Sequence, residues 1–179
     1  MGAGYSPVAE LNLLKELQDE VGRMYLADGF ELLEYGDDSG LRAGWSKDPE
    51  FLGRLIPFAQ ANGSGSFYAF WRVDDRAELG TLPVVVFGDE GGQYVVARDV
   101  REFLRLLALD TEVTVAFDEA YFYLDPDEDE HSDGHEAYVA WLGERFGLTV
   151  PEDADAVVAA AEAKYGKRFA EWCGRYFEV

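Results

Sequence analysis

The sequence predicts an α+β fold: a central antiparallel or mixed sheet with flanking helices drawn from both ends of the chain. Three observations predict it. Residues 67–73 (FYAFWRV) are apolar on both alternating sets, with Phe67, Ala69, Trp71 and Val73 on one side and Tyr68 and Phe70 on the other. That pattern describes a strand covered on both faces. Two further short apolar runs follow, LPVVVF at 82–87 after a polar connection over 74–80 and QYVVA at 93–97 after a Gly-rich turn. Such spacing favours a meander. Outside this region the apolar residues recur every three or four positions, as amphipathic helices require.

Taken in order, the chain opens on a helix. Ser6 is a candidate cap and Pro7 suits a first helical position, while Val8, Leu11, Leu14, Leu17, Val21 and Met24 form one stripe. Asp28-Gly29 ends it, a short strand is expected at 30–35, and residues 36–40 (GDDSG) read as a turn cluster. Trp45 reads as an aromatic that seals a core. Asp48-Pro49 starts a second helix whose stripe is Phe51, Leu52, Leu55, Ile56 and Ala59. Pro57 lies too far in for a first-turn proline, so that helix is expected to kink or to end near Leu55. Residues 62–65 (NGSG) lead into a strand and not a helix, so they read as a turn and not as a phosphate cradle.

Pro83 is compatible with a strand only at its beginning. Gly88, Gly91 and Gly92 frame the turn that carries Asp89 and Glu90. Asp99 with Glu102 three positions on has capping-box spacing, and Val100, Phe103, Leu104 and Leu107 supply the stripe of the helix that follows.

The ordered run of this Gly-Ser-Gly turn, the FYAFW strand, PVVVFGDEGG, the VVA strand and the REFLRLLA helix resembles the SUKH superfamily, in particular its Smi/Knr-type branch. The resemblance spans residues 51–107. It implies an α+β fold with a mixed sheet and flanking helices. Many bacterial members are immunity proteins that bind and neutralise toxins of polymorphic or contact-dependent systems, nucleases among them; fungal members are regulatory scaffolds in cell-wall synthesis. No catalytic residue comes with the resemblance.

Charge bounds the partners. Fifteen Lys and Arg against 36 Asp and Glu leave a formal net charge of −21. Nucleic acids and anionic membranes are bound through Lys and Arg, so neither is an expected ligand. A basic protein is. Residues 106–144 contain acids and no Lys or Arg, and 125–135 (DPDEDEHSDGH) form an acidic loop. Asp89, Glu90, Asp125, Asp127, Glu128, Asp129 and Glu130 are therefore the candidate partner-binding residues.

The same loop invites a calcium reading, and its spacing argues against one. With Asp125 at position 1, Glu130 stands where the sharp-turn glycine belongs; with Asp129 there, Ala140 replaces the bidentate Glu. His131 and His135 are four apart, but Gly134 between them favours a loop over a shared helical face. No metal site, cofactor or catalytic residue is expected.

Two C-terminal helices complete the reading, one from Tyr138 to a stop at Gly147, another from Pro151 and Asp153 through Tyr165, with Gly166 as a break. Beyond it Phe169, Trp172, Tyr176 and Phe177 form an aromatic stripe expected to pack on the sheet. Cys173 is the sole cysteine, which excludes an internal disulfide and suits a reducing cytoplasm. A single domain over 1–179 is expected, with its family-like core at 51–107 and a helical part at 136–179. The functional expectation is a non-enzymatic immunity protein for a toxin, with a basic nuclease as one candidate. The alternatives are an intracellular scaffold and, third, a metal-dependent hydrolase using the acidic loop.

Overall fold

A computed structural model of the chain describes residues 5–22, 24–116, 119–124, 127 and 130–177. The fold is α+β, and its main sheet is antiparallel throughout. Five strands lie in chain order: β1 (Glu31–Leu32), β2 (Leu55–Gln60), β3 (Phe67–Trp71), β4 (Val84–Phe87) and β5 (Gln93–Ala97). A separate two-stranded ladder pairs β6 (Val113–Val115) with β7 (Ala120–Phe122).

Both faces of the sheet are covered, as the double apolar pattern of β3 requires. Tyr68 and Phe70 point into one core with Phe58, Val84, Val86 and Val96. That side is closed by α1 (Ala9–Val21), α4 (Val100–Leu107) and α5 (His135–Phe146). Ala69 and Trp71 point into a second core with Val85, Phe87 and Val95, closed by α2 (Ser39–Gly44), α3 (Pro49–Gly53) and α7 (Lys167–Gly174). The C-terminal aromatic stripe does pack there: Phe169 lies 5.0 Å from Trp71, and Trp172 stacks on Phe51 at 5.3 Å. Trp45 sits between Phe87 and Phe177 and seals this core.

Local chemistry fixes the joints. Asp48 and Asp99 cap α3 and α4 by accepting from the N–H of Glu50 and Glu102. Glu102 reaches back to the Arg98 N–H at 2.9 Å, one residue before the cap. In the turn after β2, Asn62 Oδ1 accepts from the N–H groups of Ser64, Gly65 and Ser66, a turn with no resemblance to an anion cradle.

Several expectations are corrected. The first helix stops at Val21, not at Asp28-Gly29. The second helix ends at Gly53, close to the expected stop near Leu55, but Leu55, Ile56 and Ala59 of its expected stripe belong to β2. A strand buried on both faces loses its alternation, so Leu55, Ile56 and Ala59 imitated a helical stripe. Pro57 is tolerated because β1 pairs only with Gln60 and Ala59, and the register shifts between Pro57 and Ala59. The first strand is only two residues long, and α2 begins inside the GDDSG cluster. Ser6 lies outside the first helix and clasps Asn12, whose side chain bonds both its backbone N–H and its carbonyl. Finally, Gly166 does not break the last helix: α6 (Ala154–Ala161) runs through a π-helical stretch (Glu162–Gly166) directly into α7.

Helix α6 positions the candidate site. Its buried Ala154 and Val158 belong to the first core and its Ala161 to the second, so it passes along the edge strand β5 and joins the two. The β6–β7 ladder packs on the first core through Val113, Ala120 and Phe122. Ladder and helix therefore meet at one edge of the sheet.

Candidate functional site

Where β7 and α6 meet they leave an open groove of about 1170 Å³. The strand wall carries Glu119, Tyr121, Tyr123 and Leu124, and the helix wall carries Glu152, Asp153, Asp155 and Glu162. Sequence spacing explains the helix wall. Ala154, Val158 and Ala161 take the buried stripe, so Asp155, Ala159 and Glu162, one position on, form the neighbouring stripe that faces the groove. Alternation explains the strand wall. Ala120 and Phe122 turn into the core, and Tyr121 turns out.

Five carboxylates line the groove, and no Lys or Arg lines it among the described residues. Two are held by the fold. Asp153 caps α6, accepting the Ala156 N–H at 3.1 Å. Glu162 faces the backbone N–H of Val95, and burial raises its carboxyl above the usual range against the pull of that N–H. Glu119 and Asp155 are exposed.

Tyr123 and Leu124, 62% and 50% exposed, form an apolar ridge at the end of the groove. On its far side lies a hollow of about 540 Å³ bounded by Asp28, Asp110, Thr111, Glu130, His131 and Ser132. Thr111 Oγ1 donates to the Tyr123 carbonyl at 2.9 Å and anchors the ridge. Asp110 is the hub of the hollow. Its Oδ1 accepts from the Asp28 N–H and the Ser132 hydroxyl, each at 2.7 Å, and its Oδ2 accepts from the Ser132 N–H at 2.6 Å. His131 Nδ1 lies 3.2 Å from the same Oδ2. His135 opens α5, donates Nε2–H to the Ala108 carbonyl at 3.0 Å, and stacks on His131 with ring centroids 4.1 Å apart.

The residues singled out from sequence fall in different places. Glu130 borders the hollow. Asp127 is exposed on the segment between ridge and hollow, while Asp125, Glu128 and Asp129 lie outside the described residues. Asp89 is exposed and accepts from the Ser66 and Ser64 hydroxyls at 2.7 and 3.1 Å; the Ser66 bond holds its carboxyl below the usual range. It ties the 62–66 turn to the 88–92 turn, and neither Asp89 nor Glu90 lines the groove. Glu90 is exposed beside it.

Sequence reasoning missed Glu119, Glu152, Asp155, Glu162 and Asp110. The groove acids come from segments some thirty residues apart, and only the packing of α6 beside β7 brings them together. A trace was present: an acid-rich helix start at 152–155 follows an acid-rich segment with exposed aromatics.

The chain matches no family model, no curated protein and no solved structure. Among the described residues, no helix is long and apolar enough to cross a membrane.

Proposed function

We propose that this chain is a non-enzymatic immunity protein whose groove between β7 and α6 occludes a basic toxin domain in the cytoplasm. The observation that carries the reading is the pairing of five groove carboxylates, unrelieved by any lining cation among the described residues, with the exposed Tyr123–Leu124 ridge.

Magnitudes separate the two roles. A guanidinium 4 Å from one carboxylate gains about 1 kcal/mol in bulk water and about 4 kcal/mol at the effective dielectric of a protein surface. Screening limits that attraction to about 8 Å at physiological salt. The groove thus accelerates encounter and selects a basic surface. Retention falls to the ridge, since Tyr is enriched among interface anchors and buries a large area at little entropic cost. A nuclease fits such a receptor, because the basic surface that holds phosphates meets carboxylates in their place. The resemblance of residues 51–107 to SUKH immunity proteins supports the same reading.

The test is affinity capture from the native lysate at low and moderate salt, using the wild type beside Glu119→Lys/Asp155→Lys. The reading expects one near-stoichiometric basic polypeptide, captured by the wild type and lost by the variant, whose toxic activity the wild type blocks. Equal capture by both proteins, or recovery of housekeeping proteins alone, contradicts it and favours a scaffold.

A further inference from the structure

We infer that Asp110, His131 and His135 form a binding site for a borderline divalent cation of the zinc, cobalt or nickel class. The inference is independent of the immunity reading, since it concerns the hollow and not the groove.

One ligand atom of each of the three residues lies within 4.8 Å of the others. The tighter pair has the spacing such an ion wants. Two metal bonds of about 2.0–2.1 Å meeting at a tetrahedral angle hold their ligand atoms about 3.3 Å apart. Asp110 Oδ2 and His131 Nδ1 are 3.2 Å apart. A cation entering there takes the place of the hydrogen between imidazole and carboxylate, with His131 in the tautomer that carries its N–H on Nε2 and leaves Nδ1 bare. The third ligand then needs to close by at most about 1.5 Å to reach the same spacing. The two rings, stacked with their planes 13° apart, must turn out of that stack for both lone pairs to meet one ion.

The surroundings are those of a held ligand set. Asp110 has a side chain only 1% exposed, and its carboxylate is oriented by three donors, the Asp28 N–H, the Ser132 N–H and the Ser132 hydroxyl. Ligating carboxylates are typically fixed by such hydrogen bonds. His135 donates Nε2–H to the Ala108 carbonyl, and because a carbonyl can only accept, its Nδ1 is the bare nitrogen. A metal-bound histidine commonly has this partner on its far nitrogen. His131 is exposed, with 53% of its side chain accessible, which gives the ion a path and leaves a coordination position for water. Two imidazoles favour zinc-like ions over calcium or magnesium, which take oxygen ligands.

The experiment is calorimetric titration of the metal-stripped full chain with Zn²⁺ in a background of millimolar Mg²⁺, which occupies the diffuse carboxylates. Visible spectra of the Co²⁺ form provide a second readout. Binding of one equivalent is expected, with the ligand-field bands of a four-coordinate nitrogen and oxygen site. His131→Ala, at an exposed position, is expected to weaken binding more than tenfold. Ser132→Ala, which removes a donor that orients Asp110, is expected to weaken it about tenfold. Circular dichroism of each metal-free variant checks that the fold is kept. Zn²⁺ binding that Mg²⁺ abolishes, binding unchanged in His131→Ala, or no saturable binding overturns the site.

Discussion

The Glu162 carboxylate, on the wall of the groove, faces the backbone N–H of Val95 on the edge strand. Gly166, one turn later, leaves room for it: a Cβ at 166 would come within 2.9 Å of Glu162 Cδ and crowd the carboxylate. Gly166 has ordinary helical angles, so Gly166→Ala should by propensity stabilise the helix by about 0.5–1 kcal/mol. Displacing Glu162 instead takes the carboxylate from its half-buried seat against the Val95 N–H, at about 1–3 kcal/mol. The second effect wins. Thermal unfolding should show a melting temperature lowered by about 2–6 °C, where an ordinary helical glycine would give a rise.

Glu162 also sets a pH dependence. Burial raises its folded pKa, so the native state favours the protonated form. Its contribution is therefore complete below the unfolded pKa and is lost as pH rises through the raised folded value. Glu162→Gln keeps an acceptor for Val95 without the charge. Stability measured by urea unfolding should exceed that of the wild type at pH 7, and the advantage should vanish near pH 4.

Asp89 has the opposite sign. The hydroxyl of Ser66, with help from Ser64, holds its carboxyl low, so its contribution is present above the unfolded pKa and is lost as pH falls through the depressed folded value. Ser66 is buried, and Ser66→Ala removes both its bond to Asp89 and the acceptor of the Asp89 N–H. A loss of about 1–2 kcal/mol at pH 7 is expected, with a weaker acid dependence between pH 5 and pH 2. Denaturant midpoints across that range measure it.

The final helix carries the second core. Phe169 is 1% exposed and packs on Trp71 and Phe87, so Phe169→Ala should cost about 3–5 kcal/mol by loss of buried area and an unfilled cavity. Conservative replacement by Leu should recover most of it. Chemical denaturation of the two variants distinguishes a packing role from a merely local one.

Legibility in the sequence followed the range of the physics. Elements set by neighbours in the chain were readable: the Asp99 cap, the stop at Gly147, the NGSG turn and the 93–97 strand are local chemistry. Elements set by tertiary cover were not. Leu55–Gln60 is apolar on both faces, so its period is hidden, and Gly166 keeps helical angles in a helix that runs on past it while leaving room for Glu162. The site followed the same division. The acidity of residues 119–130 was visible, but the opposing wall at 152–162 depends on where α6 lies, and Asp110 joins His131 only through a fold contact twenty-one residues apart in sequence.

The central claim is that the groove between β7 and α6 receives a basic partner. Stopped-flow association of the captured partner with wild type, Glu119→Lys/Asp155→Lys and the off-groove variant Glu90→Lys, at low and moderate salt, tests it most directly. Association at least tenfold slower is predicted for the groove variant, with a flatter salt dependence, and a rate near wild type for Glu90→Lys. An unchanged rate in the groove variant, or an equal loss in both variants, would contradict it.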